Sequence, residues 1–301
     1  THCISSAASD VYKRQCTEGG LVTPKTVVLT GASDGIGAAA ARQLTASGHR
    51  LILVGRSVEK TRAVAADTGA EWFTADFARL DDVRELATKI ADTVGDGGID
   101  VLANNAGGIF GDQTPTVDGF EKTLQVNHLA PFLLTNLLLP QLRAGRASII
   151  NTSSVAHRLF ARLDIDDLDN RKNFSANRAY GDAKLANVLF TKSLHTKFHG
   201  EGLSSVAFHP GTVQTNFASD SNTLMRFVYR TPLKRLLLIS SEKGGSTLSW
   251  FVEGTPDETW ISGEYYDERV LTRRVNPRIE DAALAEALWQ KSAELVGISA
   301  S

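Results

Sequence analysis

The chain is poor in thiols. Its two cysteines, Cys3 and Cys16, both fall within the first sixteen residues. Residues 17–301 therefore hold no disulfide framework and no cysteine metal site, a pattern that suits a reducing compartment and a cytoplasmic protein. Long apolar runs are also scarce. The longest candidate, "FLLTNLLLPQL", is interrupted by Thr135, Asn136 and Pro140 and falls short of the roughly 20 residues a membrane helix needs. No charge of one sign dominates: 32 Lys+Arg face 34 Asp+Glu, a net charge of −2, with no basic stripe to suggest nucleic acid. No Pro/Ser-rich linker and no internal repeat divides residues 22–301, so a single domain is expected. At 301 residues, 42% hydrophobic and 22% charged, the chain can bury a large core.

The first twenty-one residues have no apolar periodicity and contain no Met; the chain's one Met is Met225. The run Ser5 to Gln15, "SSAASDVYKRQ", reads like the in-frame translation of a sequencing adapter. Residues 1–21 are accordingly expected to be a non-native or disordered tail, left out of fold reasoning. The domain is expected over 22–301.

From Lys25 onward, short β-branched runs alternate with helical stretches. "KTVVLTG", "HRLILVGR", "AEWFTADF", "IDVLANNAG", "RASIINTSS", "LSSVAFHPG" and "SGEYYD" read as seven strands. Helices are expected between them, one long helix over residues 120–143 among them, and "EDAALAEALWQKSAELVG" closes the chain as a last helix. Near-continuous apolar strands that alternate with helices argue for a parallel sheet covered on both faces. The fold class is α/β, a single-domain doubly wound parallel sheet of Rossmann type.

The first strand runs into "TGASDGIG", with Gly31, Gly35 and Gly37. Glycine there allows a sharp turn, close approach of a pyrophosphate to backbone N–H groups, and tight packing of the helix start. No Gly-Lys-Ser/Thr follows, so the turn is not a P-loop. Farther on, "AYGDAKLANVLF" sets Tyr180 and Lys184 four apart, on one helix face. That pair alone is uninformative.

Together, Thr30 with Gly31-x3-Gly35-x-Gly37, "NNAG" at residues 104–107, a serine, and YxxxK resemble the short-chain dehydrogenase/reductase family. The resemblance covers residues 25–297. "NHLAPF" and "HPGTVQT" add to it. The spacing of Ser154 from Tyr180 and the tail "ALWQKSAELVG" are similar to the retinol-dehydrogenase-like branch. The resemblance implies an oxidoreductase that moves a hydride between a nicotinamide dinucleotide and a carbonyl or alcohol. It assigns catalysis to Asn127, Ser154, Tyr180 and Lys184, with Ser153 as the alternative serine. Tyr180 would be the acid–base; unperturbed tyrosine, with a pKa near ~10, is poorly suited to that at neutral pH, and a neighbouring ammonium and an oxidised nicotinamide favour the phenolate. Ser154 would donate to the carbonyl oxygen. Lys184 would also bond the ribose, and Asn127 would hold a proton-relaying water chain; the plainer alternative for Asn127 is a buried amide fixing a helix kink.

Cofactor contacts are expected from Gly31, Ser33, Asp34, Gly35, Ile36, Gly37, Arg56, Asp76, Phe77, Asn105, Ala106, Gly107, Tyr180, Lys184, Pro210, Gly211, Val213 and Thr215. Arg56, at the end of the second strand, favours NADP(H) over NAD(H), because arginine pairs well with a 2′-phosphate. Asp34 departs from the basic residue that many NADP-preferring relatives carry nearby. Asp76 is placed as an adenine contact, or else as the cap of the next helix. No metal site is expected: His195 and His199 lack a third ligand, and "DIDDLDNRKNFS" has Asp169 and Ser175 where a calcium loop needs Gly and Glu. That stretch is read as a solvated insertion. Leu224, Met225, Phe227 and Val228 are expected to line a lipophilic lid. The partner is a small carbonyl or alcohol; homo-oligomerisation is left open. The rival readings are a dinucleotide-binding regulator without catalysis and a nucleotide-sugar epimerase on a related fold.

Overall fold

The computed structural model describes residues 23–111, 113–211 and 241–299. The expected contacts at Val213 and Thr215, the lid residues Leu224, Met225, Phe227 and Val228, and the tail 1–21 lie outside these residues.

Short runs, largely buried except in the partly exposed edge strand β3, form β1 (Thr26–Thr30), β2 (Arg50–Gly55), β3 (Glu71–Thr74), β4 (Val101–Asn104), β5 (Ser148–Thr152) and β6 (Ser204–His209). β7 (Tyr265–Asp267) and β8 (Val270–Leu271) complete one sheet in the order β3-β2-β1-β4-β5-β6-β7-β8. Every pairing is parallel except the hairpin of β7 with β8. The sequence reading gave seven strands. The eighth is a two-residue edge strand, too short to leave a period in the sequence.

The helices are α1 (Gly35–Ala46), α2 (Val58–Thr68), α3 (Leu80–Val94), α4 (Lys122–Leu124), α5 (Ala130–Leu137), α6 (Leu139–Ala144), α7 (Ala156–Leu159), α8 (Ala176–Phe198), α9 (Ser241–Glu253) and α10 (Ala282–Val296). Capping marks their ends: Ser57 accepts from Lys60 N, Asp281 from Leu284 N, and Gly69 and Gly297 close α2 and α10 in the left-handed conformation. The long helix expected over 120–143 is three pieces. A π-helical turn, Gln125–Leu129, joins α4 to α5, and Leu138 separates α5 from α6.

Two apolar layers sandwich the sheet. One packs α3, α5, α8 and α10 on Val28, Ile52, Leu102, Ile149 and Ala207. Trp289 of α10 seals it through ring contacts with Phe132, Phe190 and Phe198. The other layer sets α1, α2 and α9 against Val27, Leu29, Leu51, Leu53 and Val206. There α9 meets α1 so closely that a β-carbon on Gly245 would lie 2.7 Å from Ala39 Cβ.

Strand order reverses between β1 and β4, opening a crevice at the carboxyl ends of the strands where such sheets bind ligands.

Candidate active site

The crevice begins where β1 and β4 end side by side. Thr30 Oγ1 donates to Ala103 O (3.1 Å) and accepts from the backbone N of Asn105 (3.0 Å) and Ala106 (3.1 Å). Asn105 Nδ2 returns a bond to Thr30 O at 3.1 Å. One hydroxyl and one amide thus fix both strand ends. Gly31 turns off β1 with φ +67°, and a β-carbon there would lie 2.8 Å from Ala106 Cα. A β-carbon on Gly37 would meet Gly31 O at 2.1 Å. These contacts admit only glycine and bring the amino end of α1 to the mouth of the crevice, the cradle a pyrophosphate requires. Ser33, Gly35 and Ile36 lie partly exposed along it. Asp34 caps α1 by accepting from Gly35 N at 2.7 Å.

At the end of β2, Arg56 is exposed and has no hydrogen bond or ion pair among the described residues. One turn into α2, Lys60 reaches back to Asp34 Oδ2 at 2.8 Å. Two cations, from Arg56 and Lys60, therefore stand at the carboxyl end of β2. Lys60 was not singled out in the sequence; its place four residues after Arg56, on the first turn of α2, is the signal that could have found it. Asp76 makes a local turn, Oδ1 accepting from Ala78 N at 3.0 Å. It does not cap α3: Leu80 N donates to Asp118 Oδ2 at 2.9 Å instead. Phe77 turns its side chain into the core, and its carbonyl oxygen accepts from Gln125 Nε2 at 3.2 Å.

The opposite wall carries the four proposed catalytic positions. Asn127 sits in the π-helical turn, fully buried. Its Nδ2 donates to Thr123 O and Gly108 O, both at 2.8 Å, and its Oδ1 accepts from Gly108 N at 3.1 Å. It clamps the loop after β4, so the buried-amide role is real. That clamp also reaches the site: a β-carbon on Gly107 would lie 2.5 Å from Asn127 Oδ1 and 3.3 Å from Lys184 Nζ.

β5 supplies the serines. Ser153 is buried and its Oγ donates to Lys184 O at 2.9 Å, which commits it to holding α8. Ser154 is half-buried, and its Oγ accepts from Ala156 N at 3.2 Å, an arrangement that leaves the hydroxyl proton to donate elsewhere. The structure thus separates two serines that adjacency alone could not.

Tyr180 and Lys184 lie on α8, which Ser175 caps through Arg178 N at 3.2 Å. Tyr180 packs with Ile109, Ala156, Ala176 and Phe174. Lys184 Nζ lies 5.4 Å from the Tyr180 ring centroid and donates to Thr152 O at 3.0 Å. Burial pulls Lys184 down to about 7, because the surroundings disfavour its charge. Behind it runs a buried polar chain that the sequence reading did not identify. Asn187 Nδ2 also donates to Thr152 O (3.3 Å), Asn151 bonds Thr191 Oγ1 (2.9 Å), and Asn104 bonds Asn151 (3.0 Å).

β6 ends at His209, and Pro210 and Gly211 follow as buried residues at the rim, Gly211 at φ +90°. His195 and His199 lie away from this wall, stacked at 4.5 Å, with Ser262 Oγ on His195 Nδ1 at 2.9 Å. The acid-rich insertion is less solvated than expected. Asp167 is buried and accepts from Arg171 N, and Asp169 accepts from Glu121 N, so the stretch braces α4. Among the described residues no helix is long and apolar enough to cross a membrane.

The sequence profile of the family described as short chain dehydrogenase matches residues 25–225. The Streptomyces sp. (strain C5) protein named "Putative daunorubicin C-13 ketoreductase DnrU" is 41% identical over 296 residues, covering 95% of this chain and 98% of that one. Human retinol dehydrogenase 13 is 36% identical, covering 95% of this chain and 88% of its own. Among solved structures, a metagenomic short-chain oxidoreductase in complex with NADP has TM-score 0.59 and 26% identity, covering 84% of this chain and 98% of that one.

Proposed function

Because the chain belongs to the short-chain dehydrogenase family, in its retinol-dehydrogenase-like branch, we propose that it is an NADP(H)-dependent oxidoreductase interconverting a lipophilic carbonyl and its alcohol. The observation that carries the reading is the convergence of Ser154, Tyr180 and Lys184. Residues 152, 153 and 156 each touch the 180–184 turn, through Lys184 Nζ, Lys184 O and Tyr180 respectively.

The glycine cradle fits a dinucleotide, since a β-carbon at Gly31 or Gly37 would fill it. Arg56 and Lys60 fit a 2′-phosphate, which supports NADP(H) over NAD(H). The bound cofactor supplies or accepts the hydride. Ser154 keeps its proton and donates a hydrogen bond to the substrate carbonyl oxygen, stabilising the charge that develops there. Tyr180 delivers the proton to that oxygen. Lys184, held by Thr152 O, balances the phenolate left behind. Asn127 holds the loop at Gly107–Gly108 beside Lys184, where relay water would return a proton. In oxidation each proton moves the other way.

Apolar neighbours of Tyr180 (Ile109, Phe174) and the exposed Leu159 and Phe160 support a lipophilic substrate. Relatives named as a ketoreductase and a retinol dehydrogenase span the two directions of one carbonyl/alcohol couple. A cytoplasmic location belongs to the same proposal, supported by a sequence without cysteine after Cys16.

The test is a carbonyl panel followed by NADPH absorbance, with NADH in parallel, for the parent and Tyr180→Phe. A loss of about 10²–10⁴-fold in turnover with cofactor binding retained is expected. Unchanged turnover would show the proton chemistry to be wrong and reopen a non-catalytic role.

A further inference from the structure

The turn carrying Ser154 is held by a side chain outside the four proposed catalytic positions. His157 is fully buried on α7. Its ring Nδ1 lies 2.6 Å from Ser154 O, and its backbone N lies 3.0 Å from the same oxygen. A carbonyl oxygen only accepts, so Nδ1 carries the proton and the ring is the Nδ1–H tautomer. One oxygen thus receives two donors from one residue, which pins the Ser154 peptide. From the far side, Asn276 Nδ2 donates to His157 O at 2.9 Å, tying α7 to the segment before α10.

The rest of the ring gives no other polar reason for a histidine. Nε2 is buried with no hydrogen-bond partner among the described residues. The ring meets Tyr265 edge-on at 4.5 Å between centroids. The Tyr265 hydroxyl and His209 Nδ1 are likewise buried and unpartnered. An apolar ring would pack there without stranding a nitrogen. Among the described residues, the one hydrogen bond the ring makes is to Ser154 O.

Charge does not disturb this arrangement. Burial holds His157 below its ordinary range; Arg158 pushes the same way, while Ser154 O and Asp267 pull against it. His209, from the end of β6, is also lowered chiefly by burial. Tyr265, from β7, is raised by burial. The faces around the ring therefore present neutral groups at neutral pH, with Asp267 and Arg158 opposing each other.

We propose that His157 is a positioning residue for carbonyl chemistry: its Nδ1–H locks the Ser154 main chain and so aims the Ser154 hydroxyl at the substrate oxygen. This rests on the reading of Ser154 as the carbonyl donor. Ser154 Oγ accepts from Ala156 N two residues on, so a shift of the Ser154 peptide moves the hydroxyl with it.

The experiment compares His157→Asn, His157→Gln, His157→Leu and Ser154→Ala in the full chain. Asparagine places its amide N–H near the Nδ1 position, whereas glutamine places it near Nε2. The expected result is turnover within about 3-fold of the parent for the Asn variant and a 10–100-fold fall for the Gln variant. NADPH affinity by fluorescence titration should be unchanged in both. The Leu variant, if it folds, should match Gln; should it not fold, the Asn–Gln contrast decides. Imidazole ¹⁵N NMR of the parent should show a neutral Nδ1–H ring at pH 7. Equal turnover in Asn and Gln, or an Nε2–H ring, overturns the proposal. Loss of activity in Ser154→Ala alongside a fully active Gln variant would reject the role of His157 and leave that of Ser154 standing. Full turnover in Ser154→Ala would reject both.

Discussion

Gly181 and Ala156 touch across the site. A β-carbon on Gly181 would lie 2.9 Å from Ala156 O, 2.9 Å from the Phe160 carbonyl carbon and 2.8 Å from Ala161 N. All three are backbone atoms, so none can swing aside as a flexible side chain would. The glycine after Tyr180 therefore sets how closely α8 approaches the turn bearing Ser154. Gly181→Ala is expected to push the two apart. The cost should be about 1–3 kcal/mol of stability, and a shift approaching 1 Å in catalytic geometry can lower kcat by about 10². Urea unfolding beside steady-state kinetics checks both; a variant with parental kcat would show that Tyr180 and Ser154 do not depend on this contact.

The proposed 2′-phosphate site at Arg56 and Lys60 makes a separate prediction. Arg56→Ala and Lys60→Ala should each weaken NADPH binding by about 10–100-fold, the range of a charge-assisted hydrogen bond. NADH binding should hardly change. Asp34 draws Lys60 to itself at 2.8 Å with both side chains more than half exposed, so that pair is worth little in stability. Asp34→Asn should consequently tighten NADPH, because it removes a carboxylate that competes for Lys60 while keeping an N-cap side chain. Nicotinamide fluorescence titrations with both cofactors decide it. Equal losses for NADPH and NADH would mean that neither cation reads the 2′-phosphate.

Much of this was legible in the sequence, for identifiable reasons. β1, β2 and β4 to β6 are almost wholly buried, and continuous apolar runs betray such strands without any partner being known, whereas the edge strand β3 is only partly buried. Gly31 and Gly37 were legible because the turn geometry excludes side chains. The π-helical turn at Asn127 was not, because Gln125–Leu129 itself contains no Gly or Pro to mark the extra residue. The family resemblance already put Ser154 ahead of Ser153, but their different hydrogen bonds, Ser153 to Lys184 O and Ser154 from Ala156 N, were not legible. Lys60 and His157 were passed over because their roles arise in space. Each touches a residue that composition or spacing cannot pair with it, and in "VEKT" and "VAHR" both look like ordinary surface polar positions.

Lys184 gives the site a pH signature. Burial takes its ammonium down to about 7. The group is charged below that value and neutral above it. In the proposed mechanism reduction needs the charge to balance the phenolate that Tyr180 leaves, so kcat/KM for carbonyl reduction should fall as pH rises beyond about 7. The fall should approach tenfold per pH unit if the neutral amine is inactive, and kcat/KM reports ionisations of the free enzyme. A profile from pH 5.5 to 9.5 at saturating NADPH measures the limb produced by the enzyme–cofactor complex; the same profile at limiting NADPH measures that of the cofactor-free site. Flat behaviour to pH 9 in both would contradict the role of the charge.

His128 carries the clearest link between pH and stability. It follows Asn127 in the π-helical turn, is buried, and lies between Phe132 and Phe190 with Nε2 at 2.9 Å from Ser292 Oγ. Burial lowers it from 6.5 to about 4. The unfolded chain therefore takes up this proton first, and between those two values acid favours unfolding. Stability from this residue is complete above about pH 6.5 and is lost as pH falls toward 4, by about 3 kcal/mol in all. Other buried histidines, among them His157 and His209, add their own acid sensitivity. A difference between variants is thus the proper measure. His128→Gln keeps an amide near the Nε2 position for Ser292 and removes the titration. Urea unfolding at pH 7, 5.5 and 4.5 should show the variant losing about 2–3 kcal/mol less than the parent over this range, even if it starts lower at pH 7. Parallel losses in the two proteins would place the acid sensitivity at other residues and leave His128 protonated in the fold.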